Sequence, residues 1–231
     1  VGVDQANGTE LQVFQLRLVA APFAELWFST FNGMTPGSQP EPGDRISGGD
    51  LVSLNGRVIR WNADLVAKLG LMPPTPDLGL DAVEFGTGGE IFFSLEQDAF
   101  SESLGSLGHG DLLSNQGRVA WRNADLLAAF VAQPPIPDLG LDTLQMVAEG
   151  EIYFSIEDGF FSEKLGLQIR RGDLLSNKGY VFRNNEDLLR RFQPPPIPMD
   201  FGLDAVHVWP SGEIWFSLEE GFQDDVWGSV M

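Results

Sequence analysis

Apolar and polar residues along this chain fall into short runs punctuated by Gly, Pro, Asn and Asp, the pattern of short strands and tight turns. LDAVEF (Leu80–Phe85) and EIFFSL (Glu90–Leu95) predict two strands joined by the turn Gly86-Thr87-Gly88-Gly89. GDLLS and RVAWRN (Gly110–Asn123) predict a hairpin around Asn115-Gln116-Gly117, with Leu54-Asn55-Gly56 and Asn177-Lys178-Gly179 as equivalent turns. Gly in the last place suits a residue of positive φ. NADLLAAF then predicts a short helix with Asn123 as N-cap and Asp125 in its first turn, where a carboxylate meets the positive helix end. Prolines 73–74, 134–135 and 194–196 stop each helix and lead extended chain onward. Leu26-Trp27-Phe28 and Ile214-Trp215-Phe216 do not alternate, which predicts strands covered on both faces.

The pattern recurs. GEIFFSLEQDAF (Gly89–Phe100), GEIYFSIEDGFF (Gly150–Phe161) and GEIWFSLEEGF (Gly212–Phe222) are copies, and AELWFSTF (Ala24–Phe31) is a worn fourth. Glu90, Glu151 and Glu213 are 61 and 62 residues apart, and each Glu lies 40 residues after the Asp of its GD motif (Asp50, Asp111, Asp173). Length varies only between Glu and the next GD, at 25, 21 and 22 residues, which predicts a surface loop where a repeat protein places specificity. Four short strands and a helix in the outer connection per unit, buried by neighbours on both sides, predict an all-β fold: a β-propeller of about four blades. The chain reads as one repeat domain with units of approximately 11–76, 77–137, 138–199 and a partial 200–231. The last unit lacks its GDLLS and RVxxRN strands or reduces them to DDVWGSV (Asp224–Val230). LQVFQ (Leu11–Gln15), or residues before it, is expected to complete that unit, within one chain to close a ring or in the next molecule to make a head-to-tail assembly.

Composition narrows the partners. The formal charge of −19, with 14 Lys plus Arg, argues against nucleic acid and anionic membrane surfaces, which need a basic patch. The best apolar stretch, Leu16–Phe28, is interrupted by Arg17, Pro22 and Glu25 and is no membrane span. With no cysteine there is neither a disulfide framework nor a thiolate metal site.

The order LDAV, GEIxFS, GDLL, NADLL resembles a repeat of large bacterial secreted or cell-surface proteins thought to form propellers. LDAVHVWPSGEIWFS (Leu203–Ser217) is more loosely similar to the first two strands of hemopexin-type blades. That second resemblance implies a four-bladed ring with a cation in its central channel, although repeat length and the missing cysteine pair depart from it.

Asp81, Asp142 and Asp204 open the first strand of successive units, and in a propeller they would approach one axis as oxygen ligands for Ca²⁺. The alternative is that each caps a turn or bonds a neighbouring blade; in the first unit Leu16 or Arg17 holds the place. Asp77, Asp138 and Asp200 read as turn residues. Glu25, Glu90, Glu151 and Glu213, and Ser29, Ser94, Ser155 and Ser217, recur in every unit, which spaces them around a ring and favours structural roles over a catalytic pair. His109 and His207 are not repeated; Arg171 replaces the first, and Glu84 and Gln145 replace the second. Trp27, Phe92, Tyr153 and Trp215 share one strand position and read as packing between blades, with sugar stacking as the alternative. Trp61 and Trp121 are candidates for a ligand-binding surface patch.

No nucleophile elbow, zincin, Walker or dinucleotide fingerprint occurs. The expectation is a non-enzymatic, secreted or cell-surface module that binds a protein or glycan through its variable loops, or serves structural assembly. The alternative is a polysaccharide hydrolase or lyase using loop carboxylates such as Asp98, Glu102 and Glu163.

Overall fold

The computed structural model describes residues 11–18, 24–30, 45–74, 76–131, 135–147, 150–192, 200–224 and 228–230. Residues 1–10, most of the first variable segment and prolines 194–196 lie outside these.

The chain is all-β, laid out as a series of antiparallel sheets with a short helix of about one and a half turns in each of the first three units. First strands are Leu11–Leu18, Val83–Phe85, Leu144–Met146 and Ala205–Val208, and second strands are Ala24–Thr30, Ile91–Phe93, Ile152–Phe154 and Ile214–Ser217. Third strands (Leu51–Ser53, Leu112–Ser114, Leu174–Ser176) and fourth strands (Val58–Arg60, Arg118–Trp121, Tyr180–Arg183) complete three sheets in the order one, two, three, four. Helices Asn62–Val66, Asn123–Leu127 and Asn185–Leu189 follow. Among the described residues the fourth sheet has two strands.

Register corrects two expectations at the N-terminal end. Val13 pairs with Phe28 as Val83 pairs with Phe93 and Val206 with Phe216, so the place of Asp81 falls to Leu11 and not to Leu16 or Arg17. Leu11–Leu18 is the first strand of the first sheet, so LQVFQ does not complete the last one.

The variable segment is also more than a loop. It forms a hairpin, Ala99–Ser101 with Gly105–Leu107 and Phe160–Ser162 with Leu167–Ile169, and Phe222–Asp224 pairs with Gly228–Val230 in the fourth unit. Ser101, Leu107, Ser162 and Ile169 are buried. Ser101 Oγ donates to Leu69 O (2.5 Å) and Ser162 Oγ to Phe130 O (2.8 Å), which fastens each hairpin to the end of the preceding unit's helix. The phrase FSExLG, at Phe100–Gly105 and Phe161–Gly166, is the repeated signal for it.

Apolar side chains gather between consecutive sheets. Leu51, Leu65, Leu80 and Phe93 belong to the first cluster, Leu112, Leu126, Phe130 and Phe154 to the second, and Leu174, Leu189, Phe201 and Phe222 to the third. The second strands are covered on both faces in the complete sheets, where Trp27, Phe92 and Tyr153 are 6%, 6% and 9% exposed. In the fourth sheet Trp215 is 48% exposed, and among the described residues no third strand lies beside it.

The repeated acids of the GD motif explain the helices. Asp111 accepts from Asn123 N and Gly108 N (both 3.0 Å), so one carboxylate fixes the helix start and the turn before the third strand; Asp50 and Asp173 do the same. Asn123 is therefore not the N-cap. It lies one residue inside the helix, buried, accepting from Leu139 N and donating to Gly110 O and Gly140 O. In the third unit Asn184 takes the cap, accepting from Asp187 N at 2.7 Å. Asp77, Asp138 and Asp200 close the same joint by accepting from Gly49, Gly110 and Gly172.

Candidate functional site

The ends of the first strands are tied unit to unit. Ser29 Oγ donates to Leu80 O (3.0 Å), Ser94 Oγ to Leu141 O (2.9 Å) and Ser155 Oγ to Leu203 O (3.5 Å). Each acceptor is the residue before Asp81, Asp142 or Asp204, so the serine of one unit sets the position of the next unit's aspartate. A second tie runs between the strands: Glu84 accepts from Met146 N, and Gln145 both accepts from Val208 N and donates to Val208 O. First strands touch in sequence, the first with the second, second with third, third with fourth, and the fourth touches the first.

This construction brings the aspartates to one place. Asp81, Asp142 and Asp204 are each 5% exposed. Asp81, Asp142 and Glu157 each offer an oxygen within 4.8 Å of the others. Burial pushes Asp81 well above the usual carboxylate range, and the charges of Asp142, Glu96, Glu157 and Asp204 push it further. Asp142 is raised in the same way, by burial first and then by Glu219, Glu157 and Asp204. Asp204 accepts from Ser217 Oγ at 2.8 Å.

The glutamates are a part of the site that sequence reasoning missed. Glu96, Glu157 and Glu219 follow the second strand at one repeated position, and the signal lies in FSLE, FSIE and FSLE. Gly79, Gly140 and Gly202 make room for them. Their φ values are +74°, +74° and +66°, and a Cβ on each would stand 2.2, 2.5 and 2.4 Å from Glu96, Glu157 and Glu219. The GLD sequence is thus one device, its Gly admitting the glutamate and its Asp supplying the second carboxylate.

Basic side chains meet two of these glutamates. Arg171 Nη1 meets Glu219 Oε2 at 2.9 Å and Nη2 meets Glu220 at 3.1 Å. His109, the equivalent residue one unit earlier, bonds Asp98 through Nδ1 (2.9 Å) and approaches Glu157 with Nε2 (3.9 Å). Burial lowers the His109 pKa, but the Asp98 bond and the charges of Glu157 and Asp138 outweigh it and the net shift is upward. Gly48 holds that position in the first unit and offers no charge.

Hard-cation chemistry fits this donor set. The oxygens of Asp81, Asp142 and Glu157 lie within 4.8 Å of one another, no more than about twice the roughly 2.3–2.6 Å Ca²⁺–O distance, so one ion could reach all three. No N–H or O–H donor among the described residues reaches the buried Asp142 Oδ2 or Glu219 Oε1. A proton shared between Asp142 and Glu219 adds to the effect of burial and neighbouring charge in raising Asp142. Asp81, Asp142 and Glu157 would hold the ion, with Asp204 and Glu219 beside them, and the ion would supply positive charge and fix the strand ends.

Other candidate residues lie elsewhere. Glu90 accepts from Ser114 Oγ (2.5 Å) and Arg118 Nη2 (2.8 Å), and Glu151 from Ser176 Oγ and Tyr180 Oη (both 2.5 Å). These bonds hold neighbouring strands of one sheet together and lower both glutamates, with the serine as first cause. Trp121 packs against Phe92 with ring centroids 6.4 Å apart, whereas Trp61 is 45% exposed. Glu102 and Glu163 are exposed on the hairpins, and Asp98 is engaged by His109.

No protein-family model, curated protein or solved structure matches the chain. No helix among the described residues is long and apolar enough to cross a membrane.

Proposed function

We propose that this chain is a non-enzymatic binding or assembly module, secreted or on a cell surface, built as a four-bladed propeller with a divalent cation, calcium by preference, at its axis. The observation that carries this reading is the convergence of Asp81, Asp142 and Asp204 with Glu157 and Glu219 at the ends of first strands that touch one another in a cycle. Buried carboxylates repel one another at neutral pH unless protonated or bridged. A bound cation removes that repulsion and locks the units together, leaving the hairpins that differ between units to contact a protein or glycan. The acidic surface and the absence of a catalytic fingerprint accord with binding rather than turnover.

Melting the protein in millimolar Ca²⁺ and in EDTA tests the reading. A ligand of the native state at a hundredfold excess over Kd adds about 2.7 kcal/mol, RT ln(1 + [L]/Kd). Ca²⁺ should raise Tm in the native chain, and the triple variant D81N/D142N/D204N should lose the response. An unchanged melting curve, or a response that survives in the triple variant, would overturn the axial site.

A further inference from the structure

Among the described residues, no strand pairs with the outer edge of the fourth sheet, and the other three sheets show what occupies that position. We infer that Ile214–Ser217 is a docking edge for a strand of the repeat's own third-strand type, with sequence Leu-Leu-Ser-Asn, supplied by another unit of the same kind. The inference rests on strand registers and not on the axial cation.

In every complete sheet the aromatic residue of the second strand faces a serine of the third: Trp27 with Ser53, Phe92 with Ser114 and Tyr153 with Ser176. The next residue, Phe28, Phe93 or Phe154, faces Val52, Leu113 or Leu175. The asparagine after the serine clamps the strand end. Asn115 N donates to Ile91 O while its Oδ1 accepts from Ile91 N (both 3.0 Å), and Asn177 does the same at Ile152 (3.1 and 3.0 Å). Finally Ser114 and Ser176 donate to Glu90 and Glu151.

The fourth sheet carries the receiving half of that arrangement. Gly212-Glu213-Ile214-Trp215-Phe216-Ser217 repeats the sequence, and one edge of the strand pairs with Ala205–Val208 in the usual register. Trp215 and Ser217 are the residues opposite His207 and Ala205, and Trp209 N and Asp204 N donate to Glu213 O and Ser217 O. The backbone groups of Ile214 and Phe216 therefore point to the other edge, where no strand of the described residues lies. Glu213 takes a bond from its own strand, Trp215 Nε1 at 2.8 Å, where Glu90 and Glu151 hold a serine. The exposure of Trp215 marks the surface a third strand covers elsewhere.

A folded second copy cannot fill the position without giving up a sheet of its own, since Leu51–Ser53, Leu112–Ser114 and Leu174–Ser176 are all paired on both sides. The occupant is therefore a GDLLSN hairpin not already paired on both sides, and strand addition to an open edge is an established mode of recognition.

The test uses the intact chain and a synthetic peptide of residues Gly172–Arg183, followed by hydrogen exchange and Trp emission. Saturable binding that slows exchange within Glu213–Ser217 and blue-shifts emission, with the shift absent in W215F, is expected. A peptide with Leu175→Pro should not bind, because proline cannot donate to the ladder. Glu213→Ala lies on an exposed residue and should weaken binding about tenfold through loss of a charge-assisted bond. No saturation at millimolar peptide, equal binding of the proline peptide, or unchanged affinity in E213A would overturn the inference. Self-association of the protein that peptide does not dissolve would assign the edge to a second copy and equally overturn it.

Discussion

Phe154→Ala is the sharpest probe of how the units are held. Phe154 is fully buried on the second strand of the third sheet, packed in the cluster with Leu126, Ile169 and Leu175 and edge-on to Phe130 at 6.5 Å. Truncation removes an aromatic ring between a sheet on one side and the preceding unit's helix on the other, a site with little freedom to collapse. The expected cost is about 3–5 kcal/mol, the range for large-to-small changes at buried aromatics. In a chain of this length that lowers Tm by roughly 2–4 °C per kcal/mol, or about 6–20 °C in all. Phe161 is the matched control: it is 58% exposed on the hairpin. Burying less than half of an aromatic side chain of about 200 Å² at about 25 cal/mol per Å² bounds its contribution near 2 kcal/mol. Urea titrations of both variants, with m checked for constancy, give the two values directly. Equal losses, or a larger one at Phe161, would mean that the cores do not lie between consecutive sheets.

Further outcomes follow from the polar joints. Asp81 and Asp142 have folded-state pKa values above their unfolded ones, so they favour the folded state most at low pH and cease to as pH rises through the raised values; in EDTA, Tm should climb as pH falls from 7 towards 5, and Asp142→Asn should flatten the climb. Tyr180, bonded to Glu151, should titrate at about 12 in an ultraviolet absorbance titration and return towards 10 in Glu151→Gln. Asp111→Ala leaves the Asn123 and Gly108 N–H groups without their acceptor, removes the Arg122 ion pair while Arg122 keeps Ser106 O, and should cost about 2–4 kcal/mol in urea unfolding.

Repetition makes much of this fold legible in the amino-acid sequence. The GDLLS…RVxxRN hairpins stand where their Gly-terminated turns place them, because Gly117 and Gly179 take φ values of +85° and +88° that few other residues accept. The strand GEIxFS is equally plain. Features that depend on the third dimension are not. Asn123 has the ideal chemistry of a helix cap, yet Asp111, twelve residues upstream, does that work and frees Asn123 for the core. The inserted hairpin is hidden because Phe100 and Phe161 point outward while small serines are buried, the reverse of the usual cue. Asp81, Asp142 and Asp204 are visible as a set, but their glutamate companions sit 15 residues away in sequence. Only the pairing of first and second strands brings the two groups together.

The serine ties between units have a directional logic. Ser29, Ser94 and Ser155 each belong to one unit while the carbonyl they serve belongs to the next, so every joint is half donor and half acceptor and no unit contains a whole one. A duplicated stretch of gene therefore arrives already carrying both halves, ready to engage the copy ahead and the copy behind. Substituting one serine would weaken a single seam and leave the others as they were, so drift at one seam can be absorbed while the array is kept.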